Sequence, residues 1–140
     1  MKIFYWLFTK IVCPQIQVKF SNNGWEYDHI EETIYIDPKD TKDCGFLRHL
    51  KKVHGYKNNY SLMVWSVLHE IGHYHTLDYC EIDEFTRALI GLISPEEAEK
   101  SEKIQDAYFN LEEEWEATEW AIEYAKNHKM LCALFTVLLR

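Results

Sequence analysis

Val67-Leu68-His69-Glu70-Ile71-Gly72-His73-Tyr74 lies inside an apolar run that reads as helix. Helical residues four apart stack on one face, so His69 and His73 present their imidazoles to a common point. Glu70 projects about 100° round from His69. From there its carboxylate can reach a water at that point without joining the two nitrogens as a donor. Two neutral nitrogens with a carboxylate beside them can hold a metal ion and act on water, given one more protein donor.

Around the motif, Leu62, Met63, Val64, Trp65, Val67, Leu68 and Ile71 leave the helix apolar on nearly every side. That is the pattern of a buried helix. Asn59 or Ser61 caps its start and Thr76 marks its end. His69, Glu70 and His73 are its ionisable groups before the last turn, within about 100° of arc. Burying them costs on the order of several kcal/mol unless they are paired or bind metal.

Upstream, Ile3-Phe4-Tyr5-Trp6-Leu7-Phe8 is an apolar segment interrupted by Lys10, with Pro14 breaking any helix. It is too short to span a bilayer and no small-residue cleavage site follows, so a core-packing role in a cytoplasmic protein is expected. Ile16, Val18 and Phe20 alternate with Gln17 and Lys19 as in a half-buried strand. After the turn Ser21-Asn22-Asn23-Gly24, a second extended segment ends in Thr33-Ile34-Tyr35-Ile36. The two strands predict a short antiparallel sheet, with Ile34 to Ile36 at an edge that an extended substrate can join. Asp43 starts a short helix carrying Phe46, Leu47, Leu50 and Val53 inward, ended by Gly55.

Downstream, Phe85 to Ile93 reads as helix, and Ser94-Pro95-Glu96-Glu97 is a helix start. The helical pattern from there to about Lys126 is long enough that a break is expected within it. A last helix carries an apolar face of Met130, Leu131, Leu134, Val137 and Leu138. The expected fold is α+β: one domain over residues 1–140, mostly helical, with a short antiparallel sheet before the motif helix.

The missing donor is sought among acidic and histidine side chains. His75 points roughly 120–160° away from the pair and reads as a packing or boundary histidine. Gly and His three and six residues past the second histidine would mark a metzincin; Thr76 and Tyr79 stand there instead. Asp78 remains as a loop donor. In the acidic helix beginning at Leu111, Glu112, Glu116, Glu119, Glu123 and Lys126 share one arc of the wheel, and Ala117, Thr118, Ala121, Ile122 and Ala125 share the opposite one. Glu113 lies at the border. Glu114 alone falls within the apolar arc, where a carboxylate is rare unless paired or bound to metal.

His69-Glu70-Ile71-Gly72-His73, followed by Glu114-Trp115-Glu116-Ala117-Thr118-Glu119-Trp120-Ala121, resembles the gluzincin metallopeptidases, closest to the small ImmA/IrrE-like family. The resemblance covers about half the chain. It implies a zincin-like domain with a Zn²⁺ ion on His69, His73 and Glu114, and Glu70 as general base. It also implies a cytoplasmic endopeptidase acting on a protein or peptide, in some members a repressor. Thr118 stands where that family carries Asn or Asp, so the usual hydrogen bond there is either made by a hydroxyl or lost. Tyr74, Tyr79 and His75 are candidate donors to the oxyanion. The competing expectation is an inactive scaffold with a structural zinc, serving as a binding module.

Composition bounds the rest. Among 140 residues, 47% are hydrophobic and 15% aromatic, which excludes a disordered chain. A net charge of −8 with 15 scattered Lys and Arg leads us to expect neither a nucleic-acid nor a membrane partner. The apolar terminal segments offer a surface for a homo-oligomer. Cys13, Cys44, Cys80 and Cys132 are isolated from one another and read as reduced core residues.

Overall fold

The computed structural model describes residues 1–43, 45–57, 59–76 and 102–140. Its fold is α+β, with a small sheet set among helices. Helix α1 (Lys2–Val12) stops short of Pro14 and sends Tyr5, Phe8 and Thr9 into the core. Strands β1 (Gln17–Phe20), β2 (Glu26–Asp28) and β3 (Thr33–Ile36) follow.

The sheet is mixed, in the order β1-β3-β2. The two strands expected to run antiparallel, β1 and β3, are parallel, with Val18 opposite Ile34. The chain leaves β1, crosses to the far side, and returns through β2, which pairs antiparallel with β3. Strand β3 is therefore central rather than an edge, and the edge beside the motif helix is β2. Central placement explains why Thr33, Ile34 and Ile36 are all buried while β1 alternates. Gly24, at φ +89°, makes the turn out of β1, and its N–H donates to Asp37 Oδ2 (3.0 Å).

Helix α2 (Phe46–Lys52) starts where the Asp43 carboxylate accepts from the Gly45 and Leu47 N–H groups. It buries Phe46, His49 and Leu50, while Val53, expected inward, is exposed. The motif helix α3 (Leu62–His75) is capped by Ser61, whose Oγ accepts from Val64 N (3.3 Å). It buries eight of its residues and forms the centre of the core.

The expected break separates α4 (Glu102–Phe109) from α5 (Glu112–Asn127). The readings at Asp78, Tyr79, Phe85 to Ile93 and Ser94-Pro95 lie outside the described residues. Helix α6 (Lys129–Leu138) turns Cys132, Phe135 and Thr136 inward. The expected apolar face is thus split: Leu131 and Leu138 are half-buried against the core, whereas Met130, Leu134 and Val137 are in solvent. Cys13 and Cys132 are buried free thiols, as expected.

Candidate metal centre

Helices α3 and α5 cross at Gly72. A Cβ there would lie 3.0 Å from the Ala117 Cα and carbonyl carbon, and closer still to its oxygen. Glycine lets the two backbones touch, and that contact brings the first turn of α5 over the motif histidines. The wheel placement of α5 holds: Glu112, Glu119 and Glu123 are exposed, Ala117, Thr118 and Ala121 are buried, and Glu114 is only 4% exposed.

Glu114 reaches both histidines with one oxygen. Its Oε2 lies 2.7 Å from His69 Nε2 and 3.3 Å from His73 Nε2. Its Oε1 accepts from the Tyr108 hydroxyl (3.0 Å), which presents the other oxygen to the imidazoles. Ligand atoms about 2.0–2.1 Å from a tetrahedral zinc stand roughly 3.4 Å apart. His73 and Glu114 already have that spacing, and His69 would move away from Glu114 by about 0.7 Å. One ligand atom from each of His69, Glu70 and His73 also lies within 4.8 Å of the others.

Thr118 lies between Glu114 and His69. Its hydroxyl donates to the Glu114 carbonyl (2.8 Å), leaving a lone pair for His69 Nδ1 at 3.2 Å. That lone pair is placed to accept from Nδ1–H once Nε2, here hydrogen-bonded to Glu114 Oε2, gives up its proton to bind a metal. Phe46 holds the His69 ring edge-on, with centroids 5.0 Å apart.

The two carboxylates are pushed apart. Burial raises the Glu114 pKa, but hydrogen bonds from His69 and His73 outweigh it and hold the group well below the usual carboxylate range. Among the described residues no such donor reaches Glu70; burial pushes it up, with the histidine charges opposing. One group is fixed as an anion, and the other is poised to take a proton.

Compared with models of known protein families, with curated proteins and with solved structures, the chain matches none.

His69 and Glu70 open into a cleft of about 160 Å³ shared with Trp25, Phe46, Tyr108 and Phe109. A larger groove of about 710 Å³ runs along α5 past His75, Trp120 and Glu123. It touches neither His69 nor Glu114, so the smaller cleft is the one that opens onto the motif. His75 lies flat on Trp120 (4.6 Å) on that other side, away from the metal donors. Tyr74 packs edge-on against Tyr27 at 6.1 Å. Tyr108 was missed from sequence because it sits on a separate helix, where no spacing rule ties it to Glu114.

Proposed function

We propose that the chain is a zinc-dependent endopeptidase, with His69, His73 and Glu114 holding the ion and Glu70 acting as general base. The observation that carries this is the meeting of one Glu114 oxygen with both Nε2 atoms while Glu70 faces the cleft beside them. Bound there, zinc supplies Lewis acidity at its open position. The Glu70 carboxylate takes a proton from the attacking water and passes it to the leaving amide nitrogen. Thr118 keeps the His69 Nε2 lone pair turned inward, and Tyr108 keeps Glu114 presenting a single oxygen. A metal used only as a structural pin has no use for a carboxylate such as Glu70 beside the open position. The gluzincin resemblance, closest to the ImmA/IrrE-like family, adds a regulatory protein as the substrate class.

Metal analysis of purified protein tests the site. Wild type should carry one zinc, and His69→Ala and Glu114→Ala should each lose it. Full occupancy in Glu114→Ala would remove that residue from the ligand set. Glu70→Gln should keep zinc but cut no member of a peptide library that wild type cleaves.

A further inference from the structure

The two terminal helices are apolar on both faces, and the core uses only one face of each. On α1 the outward stripe is Ile3, Trp6, Leu7 and Ile11; on α6 it is Met130, Leu134 and Val137. Exposure within these stripes runs from 39% at Leu7 to 89% at Met130. With Met1 they make up eight of the eleven large apolar side chains exposed among the described residues, a concentration rather than ordinary scatter.

The stripes adjoin. Phe8 and Phe135 stack between the helices at 4.6 Å. On the helical wheel Ile11 lies about 60° from Phe8, and Leu138 and Leu134 lie about 60° and 100° from Phe135. In both helices the order runs from core, to seam, to solvent. Each outward stripe therefore begins beside that seam.

Charge is sorted in the same way. All 23 Asp and Glu fall between Glu26 and Glu123. Residues 1–25 carry Lys2, Lys10 and Lys19, and residues 124–140 carry Lys126, Lys129 and Arg140, with no acid in either segment. The intervening segment, with 9 Lys and Arg, is −14. Lys10 is held by the Pro14 and Ile16 carbonyls, whereas Lys2, Lys129 and Arg140 stand exposed. The expectation of no membrane partner treated the cations as evenly scattered, and they are not.

We propose that the α1–α6 face docks on an anionic phospholipid surface, its apolar stripe entering the boundary between headgroups and acyl chains. An amphipathic surface with Trp on the apolar side and Lys and Arg around it suits that boundary. A second copy suits it less well, because two-fold pairing sets the same cations against each other and neither α1 nor α6 carries an acid. Among the described residues no helix is long and apolar enough to cross a membrane, so α1 and α6 lie flat on the surface.

Flotation with phosphatidylcholine vesicles, with and without phosphatidylserine, tests the proposal. Wild type should float with the phosphatidylserine vesicles and release in high salt. Met130→Glu/Leu134→Glu changes only exposed positions and should lower partitioning at least tenfold, with the circular dichroism of the fold unchanged. Lys129→Glu/Arg140→Glu leaves the apolar stripe whole and should weaken binding to the anionic vesicles alone, by about fivefold per cation. Absence of wild-type flotation in low salt overturns the proposal, as does equal flotation of the first variant. A vesicle-independent dimer that Met130→Glu/Leu134→Glu dissolves would assign the face to a second copy instead.

Discussion

The Thr118 hydroxyl sits between two groups that must not turn: the Glu114 carbonyl it donates to and the His69 Nδ1 it faces. Replacing it with Val keeps the shape and removes both contacts. Thr118→Val should weaken zinc binding by about 10–100-fold, measured by competition against a chromophoric chelator, with little change in fold. His49 is a different kind of residue, fully buried with no hydrogen-bond partner on either ring nitrogen among the described residues. Burial lowers its pKa to about 4, and the neighbouring His54 and Arg48 charges act the same way; Asp106, 4.0 Å from Nδ1, opposes them. The unfolded chain therefore takes up the proton first as pH falls below about 6.5, the ordinary histidine value. Stability from this group is complete above that pH and is lost as pH falls towards about 4. By pH 4.5 the loss is about 2–3 kcal/mol. Urea midpoints at neutral and acid pH should fall further for wild type than for His49→Phe. His69, Glu70 and His73 were legible as residues because their spacing has one geometric meaning on a helix. Glu114 was legible because a lone carboxylate in an apolar arc demands a partner. His49 was not: nothing in Phe46-Leu47-Arg48-His49-Leu50 says which way the helix rolls, and it rolled to bury His49 and expose Val53.

At the scale of elements, the site depends on how closely two helices approach. Gly72 touches the Ala117 backbone, so Gly72→Ala must push α5 away from α3. The expected cost is about 1–3 kcal/mol, with zinc binding lost as Glu114 recedes from His69 and His73. A melting curve and a metal titration of the same sample check both; retained zinc at unchanged stability would mean that the crossing adjusts. The bounds of α3 were readable because a capping Ser and an all-round apolar run announce it. The break before α5 was readable from length alone. Strand β2 was not, since Glu26-Tyr27-Asp28 is only three residues long and merges with the extended segment that ends in β3, and without it β1 and β3 look like antiparallel neighbours. Nor was the orientation of α6, because a helix apolar on two sides gives no pattern for choosing which one is buried.

At the scale of the molecule, 45 positions separate His69 from Glu114. Closing a loop of that length costs about 3 kcal/mol of chain entropy before any contact repays it. We therefore expect His69, His73 and Glu114 to come together after α3 has formed its own turns, on the downhill side of the folding barrier. A ligand that grips only what forms late slows escape from the native state without hastening arrival. Zinc at a hundredfold excess over its dissociation constant adds about 2.7 kcal/mol. Stopped-flow unfolding should slow by about a hundredfold, while the refolding arm stays where it was. Acceleration of refolding by zinc would mean instead that α3 and α5 have already met at the barrier. The Gly72 crossing would then be a folding nucleus as well as a hinge-pin for the site.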